Sequence, residues 1–422
     1  MTNNNEKTGN TIGFHDTSDS DSNTNHTNQM LLRLKKRVQR LELLQQVSHE
    51  LGSERDLNRL LDLILNRTNQ VLDADRSTLY LIDDPSDAGP HLVSKIAQGM
   101  DGIRLPLDRT SIAGTAAMSG EICNVEDPYH DERFNAEVDQ TSGYRTKSML
   151  ASPMTSPDGT VVGVVQVLNK LDGGPFDAED EQLLLAFSTM AAIAVENARW
   201  LEAQKQTFED LITGQAIAID ARDHVTGGHT WRVTAYAVEI GRTMGWSEQD
   251  LEILRYAGLL HDQGKLGISD DILLKPGRLS NWEFALMRSH AYKTKVILEG
   301  VKHLFPRRLR RAVDLAPAHH EKLDGSGYPD HLTADDIPMG ARILAVADIF
   351  DALTAHRPYR SPMPDQDVIG LLRKDAEAGK LDSVPIEALA SCMDRIVTIR
   401  DEINARIKAR KRTFQVVQGV LP

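Results

Sequence analysis

Cysteine is almost missing from this chain. Cys123 and Cys392 are the two it has in 422 residues, too few for a disulfide framework or a thiolate metal site, which suits a reducing compartment. No apolar run approaches 18 residues, and the N-terminus lacks the basic-then-apolar pattern of a secretion signal. No membrane span and a cytoplasmic location are therefore expected. Positive charge is in deficit, with 48 Lys and Arg against 61 Asp and Glu and a net charge of −13. That balance excludes a broad cationic face for duplex nucleic acid, but not a small nucleotide held by a few local cations. Residues 1–28 are rich in Asn, Thr, Ser and Asp and have almost nothing apolar. Burial there cannot offset the entropy of ordering, so a disordered tail is expected.

The remaining length allows two or three domains. Leu31, Leu34, Val38 and Leu41 recur at spacings of three and four, which predicts a helix. Packing on its own domain and a short parallel coiled coil are both compatible with it. Leu57, Leu60, Leu61, Ile64 and Leu65 predict a second helix. Strand-like segments follow at residues 77–83, 91–97, 147–154 and 160–168, with Asp158-Gly159 as a hairpin turn between the last two. A long helix then runs from about Ala178 to Asp220. Helix, sheet and helix over residues 29–200 make an α+β sensor-like module, and residues 201–222 a helical linker. Met190, Ala194, Asn197, Leu201, Gln204, Phe208 and Leu211 follow a three-four rhythm, the seam of a parallel coiled coil, so a homodimer is expected.

The run from Gly163 to Lys170, Val-Val-Gln-Val-Leu-Asn-Lys after the glycine, leads on to Phe176 and Asp180-Glu181. With Asp131-Glu132-Arg133-Phe134, it resembles the signature of GAF domains. The resemblance implies a structural ion pair between Lys170 and Asp180 and a small ligand of unknown identity. A cyclic nucleotide, another ligand and none at all stay open.

Histidine is what the second half has in abundance. Nine of the fourteen histidines lie between His224 and His356. His229, His261, His290 and His319 follow one another at steps of 32, 29 and 29 residues, and Asp348 lies 28 beyond His320. The intervening sequence has helical period, as in Val233, Tyr236, Ala237 and Ile240, or Ile343, Val346, Ala347 and Phe350. Each step is a helix with its connection, so every candidate ligand would project from a different helix into one bundle interior. Asp262 and Asp348 stand in apolar company, where a carboxylate costs several kcal/mol, of the order of 2–7 for a polar group, unless paired or metal-bound. Nitrogen and oxygen donors without thiolate suit Fe or Mn, with Zn, Co and Ni also possible. Two such cations can clamp a phosphate, so phosphodiester chemistry follows.

Residues from about Asp210 to Arg360 resemble the HD-GYP family of HD-superfamily phosphohydrolases. The matching motifs run from Asp220-Ala221-Arg222-Asp223 and Gly228-His229 to His261-Asp262-Gln263-Gly264-Lys265 and Lys275-Pro276-Gly277. His290, His319-His320-Glu321, Asp324-Gly325-Ser326-Gly327-Tyr328-Pro329, Asp348 to Thr354 and Arg357-Pro358-Tyr359-Arg360 complete them. The resemblance implies an all-α HD-type helical bundle over 210–422 that hydrolyses cyclic di-GMP to pGpG, with further cleavage to GMP open. By it His229, His261, Asp262 and Asp348 would bind one divalent metal. His290, His319 and His320 would bind a second, with Asp262 bridging and Lys265 beside the scissile phosphate. Gly327, Tyr328, Pro329, Arg357 and Arg360 would contact substrate. Some family members hold a third metal through a Glu where this chain has Val225, next to His224, so a dinuclear centre is expected. Gln263 replaces a usual aliphatic residue. A non-catalytic cyclic di-GMP receptor and a hydrolase of another cyclic dinucleotide are the alternatives.

Overall fold

Alternating apolar side chains along two central strands organise the first half of the chain. The computed structural model describes residues 18–84, 89–97, 102–222, 228–355 and 361–417 and divides into two units, Met1–Lys205 and Gln206–Pro422. In the first, helices α1 (Ser18–Ser53) and α2 (Leu57–Leu72) precede strands β1 (Ala74–Asp83), β2 (His91–Ala97) and β3 (Arg104–Pro106). Helix α3 (Ile112–Ser119), β4 (Cys123–Val125), α4 (Ala136–Ser142), β5 (Met149–Thr155) and β6 (Val161–Lys170) follow, and then α5 (Ala178–Arg222), which belongs to this unit up to Lys205 and to the second beyond it. The sheet is antiparallel in the order β3-β2-β1-β6-β5-β4.

Successive strand side chains point to opposite faces. Leu79, Leu81, Val165 and Val167 therefore join Leu60, Ile64 and Leu65 of α2 and Leu184 and Phe187 of α5. Tyr80 and Val164 face the other way, onto Ile112 and Ala113 of α3. Fully burying each such side chain stabilises by roughly 1.5–3 kcal/mol. Lys170 Nζ donates to Asp180 Oδ2, the ion pair implied by the GAF resemblance, and the Asp177 N–H donates to the same oxygen at 3.0 Å. The expected hairpin joins β5 to β6, with Gly159 at φ 89° and the Ser156 N–H donating to Thr160 O at 2.9 Å. Strands β3 and β4 carry no periodic signal because each is three residues long and rests on ladder bonds to its neighbour.

Two expectations shift. Helix α1 begins at Ser18, inside the stretch expected to be a tail. Extending a helix costs far less than nucleating one, so the Leu-rich segment downstream carries polar residues with it. The proposed seam on α5 is also divided. Ala194 is buried in its own core, and Phe208 packs at 5.7 Å on Tyr256 and 5.4 Å on Phe305. Leu201 and Leu211 stay exposed, and so do Ile193 and Trp200. Heptad spacing does not say which apolar residues find partners in their own chain. Leu31, Leu34 and Val38 of α1 are exposed as well.

In the second unit every regular element among the described residues is helical. Helices α6 (His229–Thr243), α7 (Glu248–Leu260), α8 (Asp270–Leu273), α9 (Asn281–Val301) and α10 (Arg310–Leu315) come first. They are followed by α11 (Met339–Thr354), α12 (Asp365–Glu377), α13 (Ser383–Ser391) and α14 (Met393–Val417). Val233, Tyr236, Ala237 and Ile240 of α6 form the core with Leu254, Ala257 and Leu260 of α7 and Ile343, Val346, Ala347 and Phe350 of α11. That packing holds three of the site's helices against one another. None of the described helices is long and apolar enough to cross a membrane.

Candidate metal centre and active site

The seven expected donors come from five segments. His229 opens α6, and His261 and Asp262 follow the last residue of α7. His290 lies within α9, His319 and His320 end a 3-10 helix after α10, and Asp348 lies within α11. The ligand atoms of His229, His261 and Asp262 lie within 4.8 Å of one another, and so do those of His290, His319 and His320. Asp262 faces both groups. Its Oδ2 is 3.2 Å from His261 Nε2 and 3.8 Å from His229 Nε2, while Oδ1 is 3.4 Å from His290 Nε2. Asp348 does the same less closely, with Oδ1 3.2 Å from His229 Nε2 and Oδ2 3.7 Å from His320 Nδ1.

A break in the helix presents Asp262. The spacing of His261 and Lys265 would place them on one helical face, but α7 stops at Leu260 and residues 263–267 form a 3-10 turn. Gly264 packs so close to α9 that a Cβ there would lie 1.9 Å from the His290 carbonyl oxygen. The Thr294 hydroxyl accepts from the Gly264 N–H at 2.8 Å and donates to His261 O at 3.1 Å, satisfying groups the helix end leaves open. Lys265 Nζ then reaches Asp262 Oδ2 at 2.8 Å.

The histidines are oriented as ligands. The Nδ1 of His261, His290 and His319 sits 2.6–2.7 Å from the carbonyl oxygens of Gly258, Met287 and Ala316. A carbonyl can only accept, so each Nδ1 carries a proton, and Nε2 is the atom each ring turns toward the site. Those three Nε2 atoms are buried without a hydrogen-bond partner, a cost of about 1–3 kcal/mol apiece. A divalent cation would satisfy all three, and the residues fit one. Burial, reinforced by the charge of His261, pushes His319 down to about 3, which keeps it neutral and ready to ligate. Burial opposes the charge on Asp262 too, but His261 and Lys265 outweigh it and hold the carboxyl well below the usual range. For His229 burial is overcome by Asp348 and Asp351, which raise it to about 10. A cation would replace that proton.

Several contributing residues escaped the sequence reading. Asp351 is buried and accepts from His229 Nδ1 at 2.8 Å and from Arg232 at 2.6 and 3.0 Å. Its signal was present, three residues after Asp348 on α11, but it read as part of a motif. Buried Glu321 accepts from the Asp330 and Leu332 N–H groups at 2.7 and 3.0 Å, shaping the loop that carries Tyr328. Tyr328 lies against the His320 ring, centroids 4.7 Å apart, and under the Arg288 guanidinium at 4.2 Å. Gly327 serves packing, since a Cβ there would lie 2.3 Å from the Lys322 nitrogen. Pro329 follows a cis peptide. Buried Gln263 has no partner for its amide nitrogen. Arg357 and Arg360 lie outside the described residues, as do His224 and Val225.

A family model described as GAF domain matches residues 56–195, and one described as HD domain matches residues 213–384. The chain joins a GAF domain to an HD domain. The HD domain carries the whole donor set, and HD domains bind divalent metal. Relatives include the 3'3'-cGAMP-specific phosphodiesterase 2 of Vibrio cholerae, 35% identical over 57% of this chain and 44% of its own length. The 3'3'-cGAMP-specific phosphodiesterase 3 of the same organism is 42% identical over 40% of this chain and 35% of its length. A cyclic di-GMP phosphodiesterase of Thermotoga maritima is 40% identical over 38% of this chain and 43% of its length. The GAF–HD chain thus spans less than half of each.

Proposed function

We propose that this chain is a metal-dependent phosphodiesterase that hydrolyses cyclic di-GMP to pGpG, with its turnover regulated by the GAF domain. The observation that carries the reading is Asp262, whose two oxygens face two separate histidine groups. His229, His261, Asp262 and Asp348 would hold one divalent cation, and His290, His319 and His320 another, with Asp262 between; Fe or Mn suits these donors best. Bound there, the ions would supply an acidified water and neutralise phosphate charge. Lys265 holds its ammonium beside Asp262, where it can stabilise the charge that develops on the cleaved phosphate. Tyr328 forms a wall against His320, while Arg357 and Arg360 would hold phosphates from outside the described region.

Regulation would reach the site through the end of α5. Arg222 donates to the carbonyls of Lys265, Leu266 and Ile268 at 2.9, 3.1 and 2.6 Å and pairs with Asp270 at 2.8 Å. Asp220 accepts from the Thr230 hydroxyl at 2.6 Å, next to His229. The same helix turn therefore holds both the Lys265 turn and the start of α6. Exposed Ile193, Trp200, Leu201 and Leu211 on α5 support a homodimer. In the GAF domain a cavity of about 110 Å³ lined by Tyr80, Phe134, Met149 and Gln166 supports a small ligand. It is below the roughly 300–1,000 Å³ of drug-sized pockets.

Anaerobically purified protein loaded with Fe or Mn and given cyclic di-GMP should yield the linear dinucleotide. Tight binding without turnover would leave a receptor instead. The likeness to 3'3'-cGAMP-specific enzymes favours cyclic GMP-AMP as the second reading, and rates on both substrates separate the two.

A further inference from the structure

We infer that Arg288 is a substrate-binding residue, holding the phosphate of the cyclic dinucleotide that is not cleaved. The inference rests on the proposed phosphodiesterase reading. Arg288 belongs to α9, two residues before His290. Its guanidinium lies over the Tyr328 ring at 4.2 Å, and Tyr328 in turn lies against His320. Two neighbouring cations are already paired, Lys265 with Asp262 at 2.8 Å and Lys295 with Asp330 at 2.7 Å. Arg288 makes no hydrogen bond or ion pair among the described residues, although it is half-buried.

Stacking on an aromatic face fixes the plane of a guanidinium and leaves its N–H edges pointing outward, a fork that matches two oxygens of one phosphate. A cyclic dinucleotide carries two phosphodiesters. While one is cut at the cage, the other keeps its charge and must lie nearby. An arginine on the cage's aromatic wall meets that need, and the wall itself is Tyr328, so the same ring orders Arg288 and lines the site.

The test uses the full chain loaded with Mn, first confirming that Arg288→Ala and Arg288→Lys retain metal content and melting temperature. Affinity and steady-state kinetics are measured with whichever of cyclic di-GMP and 3'3'-cGAMP the wild type takes, and with bis(p-nitrophenyl) phosphate, which has one phosphodiester. Arg288→Ala should raise Kd and KM for the cyclic dinucleotide about ten- to hundredfold. Its kcat should stay within about threefold and its action on the small diester should be unchanged; Arg288→Lys should fall between. Equal loss on both substrates would show that Arg288 merely props Tyr328 and His320 and would overturn the inference, as would unchanged affinity. A wild type that takes neither dinucleotide sinks the proposed function itself, a different result from a wild type that takes one while Arg288→Ala matches it.

Discussion

Asp351 shows how one side chain can shape a candidate metal site without being one of its donors. It fixes the His229 ring and neutralises buried Arg232. Asp351→Asn should lower metal affinity about 10–100-fold, read by competition with a chelator. The metal-free protein should also be less stable, because Arg232 loses the carboxylate that takes two of its hydrogen bonds. Gln263 is the opposite case. Its amide nitrogen is buried and unpartnered, and it stands where the HD-GYP resemblance expects an aliphatic residue. Gln263→Leu should leave the protein equally stable or up to about 1–3 kcal/mol more stable, since the orphan donor disappears. Urea unfolding of the pair measures this, and a clear loss would mean the amide has a function. Both residues were in plain view in the sequence, but the role of Asp351 was not, because a hydrogen-bond partner 122 residues away leaves no trace in local spacing.

Helix α9 supplies His290, Thr294 and Arg288, and its fit against the Lys265 turn depends on Gly264. A methyl group there would drive the turn off the His290 carbonyl, so Gly264→Ala should cost about 1–3 kcal/mol and lower metal content together with turnover. Metal analysis and thermal melts of the purified variant check both. The helix begins with a capping box of Ser280 and Glu283, and Lys275 also bonds the Glu283 carboxylate. Lys275, then the Ser280 backbone and hydroxyl, draws that group down to about 2. A depressed carboxyl stabilises above its unfolded value of about 4.3 and loses that contribution as pH falls through the folded value. The wild type should therefore lose stability relative to Glu283→Gln between about pH 4.5 and pH 2, and parallel melting curves over that range would sink the idea. At this scale the sequence was readable where elements are long. The periods of α6, α7 and α11 foretold their buried faces, but not the end of α7 at Leu260, which close packing with α9 imposes.

For the molecule as a whole, two units with separate cores should unfold as two transitions. Metal at about one hundred times its dissociation constant adds about 2.7 kcal/mol to the unit that binds it. A chelator should therefore lower the melting of the HD unit and leave the GAF unit where it was; calorimetry with and without metal shows whether the two move apart. Donor chemistry was legible from the amino acids alone. Histidine nitrogen and carboxylate oxygen keep their character wherever they stand, and helix-length intervals between them announced a bundle with its ligands turned inward. The GAF half was legible for the same reason, since alternation along β1 and β6 belongs to the chain itself. Distances belong to packing. Whether Asp262 faces one histidine group or both, which seam residues of α5 turn inward, and that Arg288 lies over Tyr328 all depend on contacts between segments tens of residues apart. Those contacts exist only once the helices have closed on one another, because their geometry is set by the shapes of the partners and by where a glycine lets two backbones meet.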